Sequence, residues 1–204
     1  EASAQGKQGV EVSYLTSNIG WKSDYVLTLD SEDKQAGLSG WVTLNNTSGA
    51  TYKNAKLKLI AGQVNRVQPA MRYDAVYAQG MALAKESSAP GFVEQSFFEY
   101  HIYDLQRPTT IKDNQTKQVL LLEADKIQTS KEFLVSGNPN YFYQAYRAGD
   151  YKVPVDVYVT FKNSKENNMG MPLPAGIMRL YKADNKGSLQ FIGEDNIQHT
   201  PKDE

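Results

Sequence analysis

Apolar and polar side chains alternate with a period of two along most of this chain, the signature of half-buried β-strands. Val10, Val12 and Tyr14 point one way, with Glu11 and Ser13 between them. Tyr25, Leu27 and Leu29 alternate with Val26, Thr28 and Asp30; Leu38, Val42 and Leu44 share a face opposite Trp41 and Thr43. Leu57, Leu59 and Ala61 alternate with Lys56 and Lys58. Turn-rich breaks at Ser31-Glu32-Asp33-Lys34 and Asn45-Asn46-Thr47-Ser48-Gly49 separate the runs. Together they predict four short strands in an antiparallel meander with one wet face.

Between Val64 and Gly91 the alternation stops and alanines accumulate. Gly80 and the run Ser87-Ser88-Ala89-Pro90-Gly91 argue against more than a helical turn there, so the segment reads as a long, mobile crossover. Loops of this length are usually functional or disordered. Alternation then resumes: Phe98, Tyr100 and Ile102 oppose Phe97, Glu99, His101 and Tyr103. Val119 and Leu121 oppose Leu120 and Leu122, which predicts a strand buried on both faces. Val153, Val155, Val157, Val159 and Phe161 form the most regular run, and Asn163 to Asn168 a polar turn. Ile177 to Lys182 and Leu189 to Ile192 predict a hairpin across Asp184-Asn185-Lys186-Gly187, with glycine where the turn wants positive φ. No strong helix signal or internal repeat is present. The predicted class is mainly β: an antiparallel β-sandwich, either one module over 1–204 or two lobes, 10–63 and 92–204, divided by the 64–91 crossover.

Composition narrows the function classes. The chain has 204 residues, 40% hydrophobic and 22% charged, which suits a globular domain and argues against disorder. Lys plus Arg is 22 and Asp plus Glu is 23, so the basic surplus of a nucleic-acid binder is missing and no nucleic-acid partner is expected. No apolar run approaches the roughly 20 residues that span a bilayer, so no transmembrane segment is expected either. There is no cysteine, which excludes thiolate metal sites, thiol nucleophiles and disulfides and leaves the compartment open. The start at Glu1 and the absence of an apolar stretch in EASAQGKQG predict a processed N-terminus.

Candidate chemistry is sparse. His101 and His199, the two histidines, lie far apart in sequence. Glu99 and His101 fall on one strand face with ligand-like spacing, but no third ligand suggests itself, so neither a metal nor a cofactor is expected. The sequence contains no Gly-x-Ser-x-Gly elbow, Walker-type loop or Gly-x-Gly-x-x-Gly after a strand. Acid pairs such as Glu194/Asp195 or Glu99/Asp104 sit in ordinary strand and turn contexts, and 23 acids yield such pairs by chance. No catalytic residue emerges, and the expectation is a protein that is not an enzyme. Thirteen tyrosines are many. The dense stretch Asn140-Tyr141-Phe142-Tyr143-Gln144-Ala145-Tyr146-Arg147, with Tyr151 behind it, offers flat apolar faces with polar tips that suit sugars and protein partners alike. Tyr141, Tyr143, Tyr146, Arg147 and Tyr151 are therefore the candidate binding residues. The competing reading is a strand with Tyr141 and Tyr143 on one face and Phe142 in the core. Pro172-Leu173-Pro174-Ala175-Gly176 reads either as a short polyproline ligand or as the stiff lead-in to the last hairpin.

Three blocks carry a family resemblance: Ser13 to Val67, Phe97 to Ala124 and Gly170 to Glu204. Their specific parts are the Trp21 to Tyr25 spacing, the Asn46-Thr47-Ser48-Gly49 turn followed by Tyr52-Lys53-Asn54-Ala55, and the Pro-Leu-Pro-Ala-Gly hairpin. Together these blocks resemble the bacterial domain of unknown function 4139, a family that also forms the C-terminal part of mucoidy inhibitor A-like proteins. The resemblance covers most of the chain. It implies a β-rich fold, often export to the bacterial envelope or periplasm, and further strands beyond Glu204. It implies no activity and so transfers no catalytic residues. The expectation is a non-catalytic envelope module that binds a protein or a glycan through an aromatic sheet face or loop. The alternatives are a purely structural spacer and, third, a hydrolytic enzyme with a cleft where acids, a histidine and a tyrosine converge.

Overall fold

A computed structural model describes residues 9–61, 83–85, 92–97, 100–137, 142–143 and 153–204. Apart from the short strand at Leu83–Lys85, the predicted crossover at 64–91 lies outside the described residues. The chain is mainly β. In order its strands are β1 (Ile19–Leu29), β2 (Gln35–Asn46), β3 (Tyr52–Ala55), β4 (Lys58–Ala61), β5 (Leu83–Lys85), β6 (Phe92–Phe97), β7 (Tyr100–Leu105), β8 (Thr109–Ile111), β9 (Gln115–Leu134), β10 (Asp156–Phe161), β11 (Gly176–Ala183) and β12 (Leu189–Ile197).

The principal sheet runs β10-β9-β2-β1-β11-β12, with β5 also pairing β9. β1 and β2 form the predicted hairpin, closed by Asp30 N–H donating to the Gln35 carbonyl at 2.8 Å. β2 also pairs antiparallel with β9, and β11 with β12. However, β1 pairs with β11 in parallel from Ser23↔Gly176 to Leu29↔Lys182, and β5 runs parallel to β9. The sheet is therefore mixed, and the expectation of a purely antiparallel one is corrected. Alternation sets which side chains face inward; it carries no information about strand direction, which here follows from the chain returning to β1 after a long excursion.

The four-strand meander is corrected as well. β3 pairs with β8, and β4 joins β7 and β6 in a three-stranded sheet. Val10, Val12 and Tyr14 alternate, but they belong to no strand and are exposed. The last hairpin forms where expected, with Gly187 at φ 81°. The core gathers Tyr25, Leu27, Leu38 and Val42 from β1 and β2, Leu121 and Ile127 from β9, and Leu59, Tyr103 and Leu105 from the three-stranded sheet. Val119 to Leu122 are buried on both faces of β9, as their continuous apolar run predicts.

Pro172, Leu173 and Pro174 are buried, and the chain returns to the surface at Ala175. Tyr103 Oη donates to the Pro172 carbonyl at 2.9 Å, Tyr25 Oη to that of Pro174 at 2.8 Å and Ser23 Oγ to that of Ala175 at 2.7 Å. Leu173 exchanges two backbone hydrogen bonds with Thr200, at 2.8 and 2.9 Å. Proline brings no N–H, so this buried backbone presents chiefly carbonyls, and hydroxyl donors from both sheets satisfy them. Gly176 then enters β11 against Ser23, whose carbonyl oxygen stands 2.4 Å from where a Cβ would be. The buried Asn163 ties the neighbouring turns together: Nδ2 donates to the carbonyls of Met171 and Pro201, both at 3.0 Å, and Oδ1 accepts from Gly170 N–H.

Burial holds the Tyr25 and Tyr103 hydroxyls in their neutral form, raising both above the ordinary phenol range; the Ser23 hydroxyl opposes this at Tyr25, while Tyr25 and Glu94 reinforce it at Tyr103. A group raised by folding contributes stability that is complete below its unfolded value, about pH 10, and lost as pH climbs toward the folded value. Urea unfolding should therefore show a loss of stability above about pH 10 that the Tyr25→Phe/Tyr103→Phe double variant shows less. At neutral pH, Tyr103→Phe orphans the Pro172 carbonyl and should cost about 1–3 kcal/mol. Gly176→Ala should destabilise by more than Gly20→Ala, because a Cβ at Gly20 meets nothing within 4 Å. Equal urea midpoints for the two glycine variants would contradict the close packing of β1 on β11.

Candidate functional site

The fold brings the two histidines together. His101 sits on β7 and Glu94 on β6; the register Ser96↔His101 and Glu94↔Tyr103 puts Glu94 and His101 diagonally on one face. His101 Nδ1 lies 2.7 Å from Glu94 Oε1. His199 arrives from the segment after β12, one residue before the Thr200–Leu173 bridge, and its ring centroid is 4.8 Å from that of His101 at a tilt of 31°. The carboxylate that contacts His101 among the described residues thus comes from the neighbouring strand, β6. Glu99, the sequence-derived candidate, lies outside the described residues. Spacing along one strand could suggest only Glu99, because the partner of a β residue depends on a register that a single sequence does not display.

His199 Nδ1 is buried with no hydrogen-bond partner among the described residues. Burial, and next the adjacent His101 imidazole, press the His199 pKa below its usual value, while Glu204 and Glu94 pull the other way. Among the described residues no three His, Cys, Asp or Glu side chains converge to hold a metal ion. The arrangement is an imidazole held by a carboxylate and stacked on a second imidazole kept neutral by its surroundings.

His199 also borders an open groove of about 450 Å³, lined by Trp21, Ile60, Ala61, Pro174 and Gln198. Its size falls within the range of small-molecule sites, and its floor is apolar. Lys22 stands at the rim, with its ammonium 3.2 Å from the Asp24 carboxylate. A smaller apolar cavity of about 230 Å³ opens between Phe92, Leu121, Met169 and Met171. The acid pairs weighed from sequence are engaged separately: Glu194 with Arg179 at 3.2 Å, and Asp104 with Lys58 at 3.4 Å.

The sequence-derived aromatic cluster falls largely outside the described residues: Tyr141, Tyr146, Arg147 and Tyr151 are not among them. Phe142 and Tyr143 are, and both are strongly exposed, at 89% and 85%. Phe142 is therefore exposed, where the competing reading put it in the core.

The described chain on either side of it carries a group of exposed apolar residues. β2 pairs with β9 only as far as Gln128, and beyond that point β9 has β10 as its one described partner. The result is a two-stranded ribbon with Val157 opposite Phe133 and Asp156 opposite Leu134. Phe133, Leu134, Val135, Val153, Val155, Val157 and Tyr158 are all exposed, Phe133 at 68% and Val157 at 56%. Sequence alternation found this strand but not its setting, because a second layer to bury it is a tertiary matter.

Because folding depresses His199, its neutral form favours the folded state. The sign follows: stability is complete above the unfolded value of about 6.5 and falls as pH drops through that value, since the unfolded chain binds the proton more readily. Parent protein should lose stability between about pH 7 and pH 5, and His199→Gln should flatten that slope. Urea midpoints across this range test it; parallel slopes for parent and variant would show that the imidazole is not strained by burial.

No family model, curated protein or solved structure matches the chain, so the site is argued from its own geometry.

Proposed function

We propose that this protein is a non-catalytic binding module of the bacterial envelope that engages a protein partner through the ribbon formed by the far half of β9 and β10. In this reading the two sheets pack as a sandwich-like scaffold from which the ribbon projects. The observation that carries the reading is the exposure of apolar residues on both faces of a two-stranded ribbon: Phe133 opposite Val157 on one, with Val135 just beyond, and Leu134 and Tyr158 on the other. Contiguous exposed apolar surface of this kind marks interaction sites, whereas singly scattered apolar residues do not. Phe142 and Tyr143, between the ribbon strands in sequence, are exposed as well and are of residue types that anchor protein interfaces. A protein partner suits it better than a glycan, because Val and Leu offer no hydrogen-bond donors or acceptors for sugar hydroxyls. The envelope setting rests on the family resemblance of the three sequence blocks.

A photo-crosslinking residue placed at Phe133 or Tyr158 in bacterial cells should give covalent adducts with other proteins. The same residue at Lys53, on the short strand β3, should give few. Phe133→Lys with Val157→Lys should remove the adducts without shifting the urea midpoint by more than about 0.5 kcal/mol, since both sites are exposed. Equal adduct yields at Phe133 and Lys53 would count against the ribbon as the contact surface.

A further inference from the structure

The ribbon has an edge as well as two faces, and among the described residues no strand pairs with that edge. β10 ends the principal sheet, and β9 is its one described partner. An outer strand presents a row of backbone N–H and C=O groups that can template another strand, and proteins ordinarily blunt such edges with bulges, charges or lysine. β12, at the opposite end of the sheet, carries such protection: a bulge opposite Leu180/Tyr181 and the acids Glu194 and Asp195. β10 carries almost none. Asp156-Val157-Tyr158-Val159-Thr160-Phe161 has no glycine, proline, lysine or bulge, and its one charge is at the end.

The sequence of this edge is complementary to itself. If two copies of β10 align antiparallel about Val159, Val157 of each faces Phe161 of the other, and Tyr158 faces Thr160. Asp156 then falls opposite Lys162 of the second copy, on both sides of the twofold axis. Every directly opposed pair is of a favourable kind: β-branched with aromatic, tyrosine with threonine, acid with base. Sliding the strands by two residues along the same face breaks both ion pairs. The open run ends at Lys162, because the backbone of the next residue, Asn163, is already bonded to Asp203 N–H and the Glu204 carbonyl, both at 2.7 Å.

We propose that β10 is a homotypic docking edge: two copies of this chain pair their β10 strands antiparallel about Val159, joining two principal sheets across a twofold axis. This inference rests on the ribbon being the contact element and names one of its partners as the protein itself. An isologous contact of this kind closes on itself and does not propagate into fibres.

Sedimentation equilibrium from roughly 5 to 500 µM should show a monomer–dimer equilibrium. Asp156→Lys and Lys162→Asp should each weaken the dimer about tenfold, since each places two like-charged pairs across the axis. The double variant Asp156→Lys/Lys162→Asp should restore it, because the swap keeps the complementarity. The chain has no cysteine of its own, so Val159→Cys should cross-link on oxidation to twice the chain mass, and Leu189→Cys on β12 should not. Circular dichroism and urea midpoints identify any variant that has lost the ribbon, and the cysteine pair gives a readout that does not depend on the charge swap. A monomer at every concentration, or a double variant as weak as the singles, overturns the proposal. If the chain is monomeric but Phe133 still captures other proteins, self-pairing fails and the partner-binding reading survives. A dimer with no heterologous adducts gives the reverse.

Discussion

A proline-bounded segment with buried carbonyls stands at the centre of this molecule, and the hydroxyls that satisfy it come from both sheets. Tyr25 reaches it from the principal sheet and Tyr103 from the three-stranded one, so each layer is registered against the same four residues. An unpaired carbonyl in that position would cost about as much as several exposed contacts gain, so the two layers are constrained to sit where their phenols reach. The same segment delivers Gly176 against Ser23, where any Cβ would collide with backbone, and so allows β11 to lie parallel to β1. It also delivers Leu173 to Thr200, which positions His199 one residue away.

The histidine stack is thus a consequence of the core. His101 comes from the three-stranded sheet and His199 from the chain following the final hairpin. They meet because Tyr103 on the same strand as His101, and Thr200 beside His199, both hold the proline segment. Nδ1 of His199 has no hydrogen-bond partner among the described residues. Elsewhere Asn46, Asn163 and Asn167 each satisfy several backbone groups at once, standing in for strand partners at turns that the sheet cannot reach.

β9 links this interior to the exposed surface. Up to Gln128 it pairs with β2 and holds the buried residues Val119 to Leu122 and Ile127; beyond Gln128 its described partner is β10. One continuous strand therefore passes from buried residues such as Leu121 to exposed ones such as Phe133. The ion pairs of Asp33 with Lys131 and Lys182, each 2.5 Å long, tie the β1–β2 turn to β9 and to β11. These two ammonium groups hold the Asp33 carboxyl below its usual range.

Sequence alone determined which side chains face which way. The inward sets Tyr25-Leu27-Leu29 and Leu38-Val42-Leu44, the doubly buried Val119–Leu122 and the turn at Gly187 follow from local periodicity and the conformational freedom of glycine, and short-range physics suffices for them. The partner, the direction of pairing and the existence of a covering layer were decided only by the tertiary structure. Nothing in the local pattern distinguishes β11 parallel to β1 from an antiparallel neighbour, or Glu94 from Glu99 as the companion of His101. Nor does alternation tell a core strand from β10, since the valines at 153, 155 and 157 would read the same against a second sheet as against water. Such choices depend on contacts between residues far apart in the chain, and a single sequence records the two ends of each contact without recording that they meet.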